Sequence, residues 1–172
     1  TLDGKAVFVI GGIQDADELS MGDKLNFSYV YQMNLNTSFT GDDNLYARLK
    51  TGDGWSGVWY SKPGTYHIEA KDNGDALKLD KLWYTFPIGD SVTATVGPLI
   101  ENYYMLAATP SVYKPGALKA FKLGGHSSAF GASTSVGAGL KYEADSGLAV
   151  STTFNSKKAD TSAGLFTDQD QN

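Results

Sequence analysis

The chain has 172 residues, a hydrophobic fraction of 41% and a net charge of −5, which fits a folded domain and argues against a disordered tail or a general attraction to nucleic acid. It contains no cysteine, so disulfides, thiolate nucleophiles and cysteine-ligated metals are excluded. No run of about 18 apolar residues occurs, which excludes a membrane-crossing helix, while 20 glycines beside 10 Tyr, 8 Phe and 3 Trp suit strands joined by tight turns.

In chain order, residues 5–10 are a first, weak strand candidate. Residues 24–39 are the strongest: Leu25, Phe27, Tyr29, Tyr31, Met33 and Leu35 fall on one face, and Asn26, Ser28, Gln32, Asn34, Asn36 and Ser38 on the other. That alternation outlasts the five or six residues of an ordinary strand and matches the roughly 9–11 residues needed to cross a bilayer at a tilt. Residues 45–51 and 65–70 are further weak candidates, separated by Trp55-Ser56-Gly57-Val58-Trp59-Tyr60, a glycine-flanked aromatic segment in an exposed loop.

Next comes a hairpin, in which Leu82, Tyr84 and Phe86 alternate with Lys81, Trp83 and Thr85, and Val92, Ala94 and Val96 alternate with Ser91, Thr93 and Thr95. Pro87-Ile88-Gly89-Asp90 supplies the reversal. Residues 98–131 show no sustained alternation, and an ordered loop of that length inside a domain is commonly functional. A last hairpin runs through Val136, Ala138, Leu140 and Tyr142, turns at residues 143–147, and returns through Leu148, Val150, Thr152 and Phe154. Gly137 and Gly139 are read as small residues at a crowded wall. The expectation is roughly eight antiparallel strands, no helix, and connections that alternate between tight and long. The polar tail at 155–172 reads as the middle of a loop.

Charge sorts with this pattern. Arg48 and Lys50 share a face opposite Leu45, Ala47 and Leu49, and Lys81 lies opposite Leu82 and Tyr84, so the polar faces carry cations. Most carboxylates, among them Asp42, Asp43, Asp75, Asp90 and Asp145, fall in turns and loops. The long loop adds Lys114, Lys119 and Lys122 against Glu101. If the apolar faces meet lipid, a basic lumen between acidic mouths follows.

Catalytic signals are poor. His67 and His126 have no zinc-site spacing, and neither Asp15-Ala16-Asp17-Glu18 nor Asp72-Asn73-Gly74-Asp75 completes a calcium loop. No enzyme and no cofactor are expected. Tyr29, Tyr31, Tyr84 and Phe86 suit either an interfacial girdle or a soluble β core, and Trp55, Trp59 or Trp83 could stack on a sugar.

Two ungapped blocks carry a family likeness. Met33-Asn34-Leu35-Asn36-Thr37-Ser38-Phe39-Thr40-Gly41-Asp42-Asp43-Asn44-Leu45-Tyr46-Ala47-Arg48-Leu49-Lys50-Thr51-Gly52 resembles a signature of cyanobacterial outer-membrane porins of the iron-uptake type, within the carbohydrate-selective porin superfamily. Leu79-Asp80-Lys81-Leu82-Trp83-Tyr84-Thr85-Phe86-Pro87-Ile88-Gly89-Asp90 is similar to a hairpin of the same proteins. Met105-Leu106-Ala107 with Pro110-Ser111-Val112-Tyr113 looks like their marine picocyanobacterial branch. Asn36 and Tyr46 depart from the pattern, which usually has an acid and a base there.

The resemblance implies an antiparallel transmembrane β-barrel of about sixteen strands in a Gram-negative-type outer membrane, of which residues 1–172 supply about eight. It implies passive diffusion of small hydrophilic solutes and inorganic ions, iron or sugars among them. It further implies a homotrimer, an absent N-terminal surface-layer-homology domain that holds peptidoglycan, and a long loop at 98–131 that enters the pore. Carried over by position, Arg48, Lys50 and Lys81 line the wall, and Glu101, Lys114, Lys119 and Lys122 belong to the constriction loop. Mild anion preference follows from those bases. Long exposed loops also suit recognition by phage. The alternative is a soluble, lectin-like carbohydrate-binding module built on Trp55, Trp59 and the acidic turns.

Overall fold

The computed structural model describes residues 1–11, 25–53, 71, 73–108 and 134–166. Seven strands make one antiparallel sheet in sequence order: β1 (Leu2–Gly11), β2 (Asn26–Thr37), β3 (Asn44–Asp53), β4 (Lys78–Ile88), β5 (Val92–Glu101), β6 (Thr134–Glu143) and β7 (Ala149–Ser156). A short 3-10 helix (Asn102–Met105) follows β5. Six of the strands have 10 to 12 residues, and β7 has 8. Among the described residues β1 and β7 are free edges, so the sheet is open and not a closed barrel. The strand expected at 65–70 lies outside the described residues.

Connections alternate as the sequence pattern requires. Residues 38–43, 89–91 and 144–148 are short turns at one end of the sheet, whereas 12–25, 54–77 and 102–133 connect strands at the other. Each short turn contains a glycine at positive φ: Gly41 at 103°, Gly89 at 66° and Gly147 at 87°. Residues with a Cβ rarely occupy that region, so these glycines set where the chain reverses.

The register shows which side chains share a face. Ile10 pairs with Phe27, Phe8 with Tyr29 and Leu2 with Leu35, and the row continues through Leu35, Ala47, Leu82 and Leu99. Tyr84, Val96, Ala138 and Phe154 form a second apolar row. This apolar face is exposed: Phe8 is 67% accessible, Phe27 61% and Val150 56%. The opposite, inner face is covered although much of it is polar, with Ser28 at 2%, Lys81 at 5% and Asn155 at 1%. A soluble sheet buries its apolar side, and leaving a Phe or Leu half in water forfeits roughly 1 kcal/mol each. Here the two faces are inverted.

Three bulges interrupt the ladder, at Arg48/Leu49, Leu82/Tyr84 and Gly97/Ile100. The last explains why alternation fades after residue 97, yet β5 continues to Glu101, so the first four residues of the loop expected at 98–131 are strand.

Candidate functional site

The inner face carries the polar chemistry. Arg48 on β3 pairs in register with Asn34 on β2 and Lys81 on β4, and Lys50 pairs with Gln32, which brings the three cations expected to line a wall onto one surface. Asn34 Oδ1 is the local hub. It accepts from the Tyr46 hydroxyl at 2.7 Å and from Arg48 Nε at 3.0 Å, while Asn34 Nδ2 donates to Asp3. The Arg48 guanidinium lies 5.5 Å from the Tyr46 ring centroid, donates to the Tyr104 hydroxyl at 3.4 Å and stands 4.0 Å from Asp80.

Aromatic rings continue the surface away from the wall. Tyr46 and Trp83 stack with centroids 4.1 Å apart, Trp83 meets Tyr104 at 4.8 Å, and Tyr104 meets Tyr103 at 4.5 Å. Tyr46, Trp83, Ile100 and Met105 form the buried hydrophobic cluster of the described residues. The ladder therefore runs from β3 and β4 into the 3-10 helix and holds the start of the long connection against the inner face.

Close approach there depends on missing side chains. A Cβ on Gly139 would stand 2.8 Å from Met105 Cβ, and one on Gly97 would stand 2.4 Å from the Leu82 carbonyl oxygen. The crowded wall expected at Gly137 and Gly139 is the seat of Ile100, Asn155 and Met105.

Electrostatically the face is paired, not simply basic. Lys81 Nζ lies 2.7 Å from Glu101 and donates to Thr134 Oγ1 at 2.7 Å, and Thr134 in turn donates to Glu101 at 2.9 Å. Asp80 faces both Arg48 and Lys71, the latter at 3.7 Å. Asp80 arrives on this side through the bulge between the Arg48–Lys81 and Leu49–Leu79 pairs, which placement of carboxylates in turns had not anticipated. Lys50 and Lys81 are both buried, at 8% and 5% exposure, so Arg48 is the most accessible of the three cations. Glu101 closes β5. Lys114, Lys119 and Lys122, like Trp55, Trp59, His67 and His126, lie outside the described residues. No group of three or more potential metal ligands occurs among the described residues.

The strand ends have their own polar fixtures. On the exposed face the Tyr84 hydroxyl donates to Asp43 in the turn at 2.6 Å, and the Tyr29 hydroxyl donates to Asp75 in the long connection at 2.6 Å. Asp43 also accepts from the Ser38 and Thr40 hydroxyls and from the Phe39 and Thr40 amides. These donors, led by Ser38 and Tyr84, hold its carboxyl well below the usual carboxylate range.

Over 84 residues, 48% of this chain, the sequence is 31% identical to an uncharacterized protein of Synechocystis sp., sll0772, and the chain covers 15% of that relative's length. No family model matches the chain, and no solved structure matches it.

Proposed function

We propose that this chain forms part of the wall of an outer-membrane β-barrel porin through which small hydrophilic solutes and inorganic ions diffuse. One observation carries the reading: a sheet of bilayer-length strands exposes its apolar face and covers its polar one. In water that inversion is costly, and against lipid it is favourable, because every second residue meets hydrocarbon while the alternate residues line a wet interior. The resemblance of residues 33–52 and 79–90 to cyanobacterial porins supports the same assignment.

Further support comes from the positions of the rings. Phe8 and Phe27 stack at the long-connection end of β1 and β2, and Phe39, Tyr84 and Phe86 gather at the tight-turn end of β4. Rings near both strand ends suit two interfacial girdles, with Tyr31 of β2 standing between them opposite Ala6. The 3-10 helix laid on the inner face narrows the wall there. No chemical step and no cofactor are involved.

Arg48, Lys50 and Lys81 give the wall its positive side, and Asp80 and Glu101 offset it. A mild anion preference is the resulting expectation. Zero-current potentials across a salt gradient in planar bilayers test it: small, ohmic, water-filled steps with an anion-selective sign support the reading. A chain that stays monodisperse without detergent and conducts nothing overturns it.

A further inference from the structure

Ion pairs among the described residues come in two kinds. Lys81–Glu101 at 2.7 Å and Lys141–Glu143 at 2.8 Å are closed contacts, one base to one acid. Asp80 differs: one carboxylate oxygen faces Arg48 Nη1 at 4.0 Å and the other faces Lys71 Nζ at 3.7 Å, so a single acid serves two bases. One positive charge is left over. Both separations exceed a hydrogen bond and leave room for water or a small ion beside the cations. All three side chains stay partly exposed, whereas that of Lys81 is buried. The bulge after Arg48 is what puts the acid in this place, since Lys81 remains opposite Arg48 and Leu79 opposite Leu49, with Asp80 the extra residue between them.

We propose that Asp80 is the selectivity-determining residue of this surface: it holds the Arg48–Lys71 patch at one net positive charge and so keeps the anion preference mild. The inference rests on the porin reading above. Arg48 is positioned without help from Asp80, because its Nε donates to Asn34 at 3.0 Å, a second nitrogen donates to the Tyr104 hydroxyl at 3.4 Å, and the Tyr46 ring lies 5.5 Å away. Neutralising Asp80 therefore doubles the positive charge of the patch and leaves the guanidinium in place. Glu101 does not have the same leverage. Its partner Lys81 is buried and keeps the Thr134 hydroxyl at 2.7 Å, so removing Glu101 uncovers a charge that a passing ion does not touch. Charge on a wetted wall acts on permeating ions most strongly where they meet it.

The test is the zero-current potential of the full chain in planar bilayers across a potassium chloride gradient. Asp80→Asn raises the chloride-to-potassium permeability ratio on the order of threefold near about 0.1 M salt, and the rise shrinks near about 1 M, where the screening length falls from about 10 Å to about 3 Å. Glu101→Gln gives a smaller rise. Asp80→Glu keeps the charge and with it the unmodified ratio. Arg48→Gln combined with Asp80→Asn returns the ratio close to the unmodified one, since a single positive charge again remains. Lys71→Gln moves the ratio the opposite way without touching Asp80, which keeps the proposal testable if Asp80→Asn does not fold. A rise no larger than that of Glu101→Gln, a rise that the Arg48→Gln background leaves intact, or no shift in Lys71→Gln overturns the role of Asp80, and the porin reading stands because the channel still conducts. An unmodified chain that conducts nothing overturns the porin reading and this inference with it.

Discussion

The inner face is built in two ways. On β3 and β4 it carries large side chains, Tyr46, Arg48, Lys50, Lys81 and Trp83, which supply their own bulk and pair with one another. On β6 and β7 it carries Ser135, Gly137, Gly139, Ser151, Thr153 and Asn155, and the bulk comes from elsewhere: Ile100 lies over Gly137 and Met105 over Gly139. Small residues in a strand usually weaken it, yet here they reserve volume for the segment that folds back. The seam between the two constructions is the contact of Trp83 with Tyr104. Position along the sheet therefore decides whether a polar-face residue is wall or socket.

The largest effect is expected at that seam. Trp83 is 8% exposed, stacks on Tyr46 and meets the tilted ring of Tyr104, so Trp83→Ala should lower stability by about 3–5 kcal/mol. A displaced urea midpoint at unchanged slope, measured in detergent micelles, is the check. On the socket side, Gly139→Val drives a side chain into Met105 and should cost about 1–3 kcal/mol. A Met105→Ala background should recover only part of that loss, because it removes Sδ at 2.9 Å and Cγ at 3.2 Å but keeps the Cβ at 2.8 Å. The same Val placed at position 49 of β3, an apolar-face site, should be nearly neutral. If Gly139→Val is also neutral, the socket description fails.

The Lys81–Glu101 pair reaches the second construction through Thr134 of β6: β4 supplies the base, β5 the acid, and the Thr134 hydroxyl bonds both. Glu101→Gln should destabilise by about 1–3 kcal/mol, because Lys81 stays buried and keeps only neutral partners. Replacing both residues, as Lys81→Met with Glu101→Leu, should recover part of it, and a double-mutant cycle reads the coupling directly. Under the porin reading, Glu101→Gln also shifts the zero-current potential toward anions.

How much of this was legible follows from which interactions are local. Period-two alternation located seven strands and assigned Arg48, Lys50, Lys81 and Trp83 to one face, because in a strand the face is set by parity alone. Parity fails at bulges. That is why Asp80 was not anticipated on the inner face and why Pro98 to Glu101 read as loop. The aromatic ladder was also hidden, since Tyr104 lies 56 residues from Arg48 and no spacing rule links them. One clue was present in the sequence: Tyr46 stands where the resembled porins commonly have a base, an aromatic residue out of phase with the apolar face. The polar identity of the covered face was readable, but its ion pairs were not. Pairing depends on register between strands, and register is fixed by turns whose lengths the pattern gave only to within a residue or two.

The smallest expected effect separates the two ends of the sheet. At the tight-turn end one carboxylate, Asp43, gathers the hydroxyls of Ser38, Thr40 and Tyr84 and two backbone amides. At the other end Asp75 receives the Tyr29 hydroxyl. Hydrogen bonds to the ionised form depress the Asp43 pKa in the folded chain. A carboxyl held below its unfolded value of about 3.9 contributes stability that is full at neutral pH and lost as pH falls below that value toward the folded pKa. Acid should therefore loosen the turn at 38–43 first. Limited proteolysis at pH 3 should cut there faster than at pH 6. Asp43→Asn should show raised cleavage at pH 6 and little further change on acidification, because its amide cannot be titrated. Tyr84→Phe removes the bond at 2.6 Å and leaves the carboxylate in place, so it should keep the pH dependence at reduced amplitude. If the Asn variant retains the full acid response, the titrating group lies elsewhere, and the tight-turn end is held by its glycines and not by its charge.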